Sequence, residues 1–103
     1  MVTGPQNTVG FVGETAVLQC RTNDSKLTVS WSRGVGTIAS SVRDVYEGYP
    51  RLSLNDSTEG QFDLVINSMQ SEDADRYECT EGFDDSTSAQ LVLLGKSFVS
   101  VCY

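Results

Sequence analysis

Thiols and carboxylates are the reactive groups in this chain, and neither set is arranged as a reaction centre. The thiols are Cys20, Cys79 and Cys102. A thiol can attack an acyl group, hold a metal or oxidise to a disulfide. Nucleophilic and acid–base chemistry commonly lean on histidine, and the chain has none. No two cysteines stand as Cys-x-x-Cys, so a zinc pattern is missing as well. Glu81, Asp84 and Asp85 lie close together, and calcium favours such oxygen ligands. Nothing there sets a ligand spacing, and a solvated acidic loop accounts for the cluster. No catalytic residue, metal or other cofactor is therefore expected, and the chain does not read as an enzyme.

Charge narrows the partners. Lys and Arg number 7 against 14 Asp and Glu, for a net charge of −7. Nucleic acid and anionic membrane surfaces reward clustered Lys and Arg, so both are excluded as expected partners. An acidic domain favours neutral or basic protein surfaces, and the same charge also serves solubility. The longest apolar run, 91–94, is far too short to cross a bilayer. No signal peptide is visible, and Met1 reads as an added initiator on a trimmed chain. Any membrane attachment is expected to run through a segment outside these residues. A chain of 103 residues suits one domain, placed at 1–95 with a tail at 96–103. A domain this small benefits from a covalent staple.

The elements that position these groups read as short strands. Residues 15–21 alternate, with Ala16, Leu18 and Cys20 on one face. Residues 27–32 alternate again, with Leu27, Val29 and Trp31 together. Further strands are predicted at 8–12, 37–39, 42–45, 51–54, 61–66, 75–80 and 87–94, with turns between them and one helical turn within 68–74. Many short strands without a long helix point to an antiparallel sandwich or barrel.

Cys20, Trp31 and Cys79 occupy inward positions on three different predicted strands, with 58 residues between the two cysteines. Arg51 opens another strand, Leu64 lies in the strand Phe62-Asp63-Leu64-Val65-Ile66, and the run Asp73-Ala74-Asp75-Arg76-Tyr77-Glu78-Cys79 follows. On these motifs, residues from about 5 to 94 resemble an immunoglobulin V-set domain, an all-β, V-type antiparallel Greek-key sandwich. The stretches 60–66 and 71–79 also resemble first domains of nephrin-like adhesion receptors and V-type domains of invertebrate immune receptors. The resemblance implies a Cys20–Cys79 disulfide with Trp31 packed on the sulfurs, Leu64 in the same core, Tyr77 as a tyrosine corner, and an Arg51–Asp73 ion pair. A bridge closing a loop of that length contributes roughly 4 kcal/mol in the chain-entropy model. Asp75 stands where antigen-receptor domains usually carry Ala or Gly, and 89–95 lack their Phe-Gly-x-Gly motif, so the chain does not read as an antibody or T-cell receptor chain.

The family binds through the outward face of strands C, C′, F and G, here the predicted strands 27–32, 37–39, 75–80 and 87–94. Outward positions are expected at Ser30, Ser32, Ile38, Arg76, Glu78, Thr80, Gln90 and Val92, with Phe83 as an exposed aromatic in the F–G loop and Tyr46 and Tyr49 as others. The expected partner is a protein, either another immunoglobulin-type domain or a second copy in a homodimer, outside the cell on a surface or secreted. The alternative is an immune-type receptor whose loops near 23–26, 44–48 and 82–86 hold a foreign ligand. Against both stands the plain fact that scattered surface hydrophobes are normal. Asn23 and Asn55 head N-glycosylation sequons on predicted loops. Cys102 has three readings: a free thiol on a loose end, an intermolecular disulfide, or a remnant of trimming.

Overall fold

Apolar and polar residues alternate because each strand has one face in the core and one in water. The computed structural model describes residues 2–23, 27–34, 36–41, 44–46, 48–82 and 85–94. Among these, the strands are β1 (Thr8–Phe11), β2 (Ala16–Leu18), β3 (Val29–Arg33), β4 (Gly36–Ser40), β5 (Asp44–Val45), β6 (Leu52–Asn55), β7 (Asp63–Ile66), β8 (Asp75–Glu81) and β9 (Asp85–Leu94), with a single 3-10 turn at Ser71–Asp73. The expected tail at 96–103, with Cys102, lies outside the described residues.

The strands form two sheets, ordered β1-β9-β8-β3-β4-β5 and β2-β7-β6. The pairs on β4 and β5 beside β3 are what distinguish a V-type from a constant-type sandwich. Every pairing is antiparallel except β1 with β9, where Thr8 to Phe11 run parallel to Leu91 to Leu94. The first residues begin on the opposite layer, because Thr3 and Arg21 exchange backbone hydrogen bonds at 3.2 and 2.8 Å. The chain changes layers between these points, through Gly4 and the buried Pro5. A Cβ on Gly4 would sit 2.7 Å from Thr87 Cβ, so the crossing needs glycine.

Leu18, Trp31, Leu64, Ile66, Met69, Tyr77 and Leu91 fill the space between the layers, all nearly inaccessible. Cys20 and Cys79 are joined across it with their Cα atoms 6.4 Å apart. Trp31 lies in register with Cys79 on the neighbouring strand and donates its indole N–H to Phe62 O at 2.8 Å. That bond satisfies the one polar atom of a fully buried indole.

The larger sheet departs from the sequence reading at the β8–β9 hairpin and at Ile38. The β8–β9 hairpin is tighter than a loop over 82–86: pairing continues to Thr80–Ser86 and Glu81–Asp85, and the two hydroxyls of Thr80 and Ser86 meet at 2.9 Å. Ile38 is the second departure. It was expected outward, yet it is 1% exposed. Trp31 pairs with Ala39 and Ser32 with Thr37, so Ile38 is an extra residue that β3 does not match. Such a bulge breaks the alternation and turns two successive side chains inward. Ile38 belongs to the core and offers nothing to a partner.

Candidate protein-binding face

The two sheets expose different outer surfaces, and the larger is built from β8 outward. The burial pattern of β8 sends Tyr77, Cys79 and Glu81 inward and Arg76, Glu78 and Thr80 outward. Register carries that choice to the neighbours. Ser30 lies beside Thr80 and Ser32 beside Glu78 on β3, while Gln90 lies beside Arg76 and Ser88 beside Glu78 on β9. The centre of this face is therefore rich in hydroxyls. Arg76 and Glu78 are exposed, and Ser30 and Ser32 are half-buried. Arg76 Nη2 donates to Ser88 Oγ at 2.7 Å, which holds the guanidinium against the sheet. The Gln90 N–H donates to Asn7 Oδ1 at 2.9 Å, tying the approach to β1 onto this edge.

Apolar surface gathers at one corner. Val9 is 61% exposed, Phe11 36%, Val92 46% and Leu94 38%. The parallel register sets Val9 beside Val92 and Phe11 beside Leu94. Paired residues share a face, as do residues two apart, so the four form one block. Val92 was read from the sequence, whereas Val9, Phe11 and Leu94 were missed. The signal was present in the alternation of β1 and β9, but their proximity depends on a parallel pairing between the two ends of the chain. Phe83 lies outside the described residues, as do 24–26, 42–43, 47 and Asp84 in the loops. Tyr46 and Tyr49 are half-buried. Among the described residues, no group of three His, Cys, Asp or Glu could hold a metal ion, and no helix is long and apolar enough to cross a membrane.

The charged cluster sits elsewhere, at the end of the sandwich below β6 and β8. Arg51 donates to both carboxylate oxygens of Asp73, from Nη1 to Oδ2 and from Nη2 to Oδ1 at 2.9 Å. Asp73 Oδ2 also accepts the Gln70 N–H at 2.8 Å, and Arg33 Nη1 stands 3.8 Å from Oδ1. Burial pushes the Asp73 carboxyl up, but the Arg51 hydrogen bonds, the Gln70 N–H and the two guanidinium charges outweigh it and hold it below its ordinary range. Tyr77 donates its hydroxyl to Asp73 O at 2.7 Å, the corner bond that locks β8 to the turn before it. Burial raises the phenol, and Arg33 offsets part of that rise. The charges here are paired within the domain, so the cluster positions strands. Asn55, the last residue of β6, is exposed, and Asn23 is exposed with the rest of its sequon outside the described residues.

Comparison with known proteins follows this architecture. A chain of the crystal structure of Dpr1 IG1 bound to DIP-eta IG1 matches with a TM-score of 0.80 at 20% identity over 90% of this chain and 92% of that one. Rst D1-D2 matches with a TM-score of 0.77 at 27% identity over 91% of this chain, which spans only 48% of that one. The RIG-5 IG1 homodimer matches with a TM-score of 0.78 at 14% identity, covering 91% and 94%. No curated protein sequence matches the chain. The immunoglobulin domain model matches residues 6–88. The two-layer sandwich, its disulfide and this match over most of the length agree: the chain belongs to the immunoglobulin domain family.

Proposed function

We propose that this domain is an extracellular recognition module that binds another immunoglobulin-type domain through the outward face of β1, β9, β8 and β3, and that a second copy of the chain is a partner the face accepts. One observation carries the reading. On a chain of net charge −7, the outward positions Ser30, Ser32, Arg76, Glu78, Gln90 and Val92 hold one positive and one negative side chain, next to the apolar block of Val9, Phe11, Val92 and Leu94. Two such faces can meet without stacking like charges, and the apolar corner supplies desolvation. Arg76 and Glu78 are two apart on one strand. A two-fold axis lying between the faces and across β8 sets Arg76 of each copy over Glu78 of the other, the self-matching arrangement that an isologous contact requires. Solved relatives of this fold include one immunoglobulin domain bound to another and a homodimer, which supports a protein partner.

Sedimentation across a concentration series tests this. The wild type should approach dimer mass, and Val9→Glu and Val92→Glu should each return it to monomer with an unchanged circular dichroism spectrum. A wild type that stays monomeric would overturn self-pairing. A dimer indifferent to both substitutions would overturn the face.

A further inference from the structure

We infer that Asn55 carries an N-linked glycan, and that this glycan covers the outer surface of the three-stranded sheet. The sequon Asn55-Asp56-Ser57 is exposed at all three positions. Asn55 is not on a loop: it ends β6 in register with Asp63. In β6 the leucines 52 and 54 are half-buried while Ser53 and Asn55 are exposed, so the Asn55 amide projects away from the core. Ser57 folds back onto it. The Ser57 hydroxyl donates to Asn55 Oδ1 at 2.9 Å and the Ser57 N–H reaches the same oxygen at 3.3 Å. Both bonds fall on the oxygen, and the side chain that carries Nδ2 is exposed. The acceptor motif, its accessibility and the turn of the amide coincide at one place.

In the reaction, Asn55 Nδ2 bonds to the anomeric carbon of an oligosaccharide carried on a lipid diphosphate. The bond from that carbon to the diphosphate oxygen breaks, the lipid diphosphate leaves with the electron pair, and one amide proton passes to the base of the transferase.

The position gives the glycan a structural task. β6 is the last strand of its sheet, and Ser53, Val65 and Val17 lie in one register row across the outer surface beside Asn55. Val17 is 48% exposed. A bulky, hydrated chain rooted at this edge shields that row and blocks strand addition at the rim. It leaves the six-stranded face uncovered. The inference rests on the extracellular reading only in requiring the secretory route, and supplying a secretion leader separates the two.

The chain should be secreted from animal cells and weighed intact, before and after an endoglycosidase specific for N-linked glycans. The deciding variant is Asn23→Gln, a change at an exposed position. It should carry a glycan mass that the enzyme removes, and Ser57→Ala added to it should abolish that mass, while Ser57→Thr keeps it. Hydroxyl-radical labelling of Val17 and Val65 should rise after deglycosylation. An Asn23→Gln chain secreted at bare polypeptide mass would overturn the site. Labelling unaffected by removing the glycan would overturn the shielding.

Discussion

Val9 and Val92 lie side by side across the parallel β1–β9 pair, both facing outward, at 61% and 46% exposure. They bring the two ends of the described chain into one surface. A glycan placed among them should act as a wedge. Gln90→Asn combined with Val92→Ser creates an acceptor sequon on the outward side of β9. Secreted from animal cells, this variant should stay monomeric by light scattering, with a stability change within about 0.5 kcal/mol because both positions are on the surface. Association that survives with the glycan attached would mean that the face is not used.

Ile38 provides the opposite expectation. It is enclosed beside Trp31 rather than offered to a partner, so Ile38→Ala should cost about 2–5 kcal/mol as the transfer and cavity terms combine. Urea denaturation followed by Trp31 fluorescence checks this. A midpoint unchanged from wild type would mean that the bulge does not hold Ile38 in the core.

Acid should act through Asp73. Its carboxyl is held below the ordinary value by Arg51, Gln70 and Arg33 against the opposing effect of burial. A depressed folded-state value stabilises the fold above the unfolded value of about 3.9. That contribution disappears as pH falls through the lower folded value. Thermal midpoints should therefore drop below about pH 4. Asp73→Asn should lower stability by about 2 kcal/mol at neutral pH and flatten the acid limb. An acid limb identical in the variant would assign the loss to other carboxylates.

Gly60 should resist replacement. Its φ is +83°, and a Cβ would lie 2.2 Å from Thr22 O, the residue whose N–H bonds Gly60 O at 2.8 Å. Gly60→Ala combines left-handed strain with a backbone clash, and a loss of about 2 kcal/mol or more is expected by calorimetry.

How much of this could be read beforehand depended on whether a residue's place follows from local alternation. Trp31, Leu64 and Tyr77 sit on strands whose apolar residues recur at every second position, so pattern alone turned them inward. Arg76, Glu78 and Gln90 faced outward by the same rule. Ile38 escaped because a bulge adds one residue, and nothing in Thr37-Ile38-Ala39 marks which partner on β3 will be skipped. The apolar corner escaped for another reason. Val9 and Leu94 are 85 positions apart in the chain, and only the long-range pairing of β1 with β9 makes them neighbours. Asn55 was placed on a loop because Asn, Asp and Ser usually signal turns, whereas cross-strand pairing with Asp63 keeps it in the sheet.

The parallel course of β1 and β9 bears on how the domain would respond to mechanical tension. Pulling on the two ends draws β1 toward its start and β9 toward its finish. Because the strands point the same way, they are dragged past each other lengthwise rather than peeled apart. Their rungs are then strained together instead of one after another, and rupture requires breaking them as a group. A load passing between the termini therefore meets its firmest resistance at the seam that also carries the exposed valines.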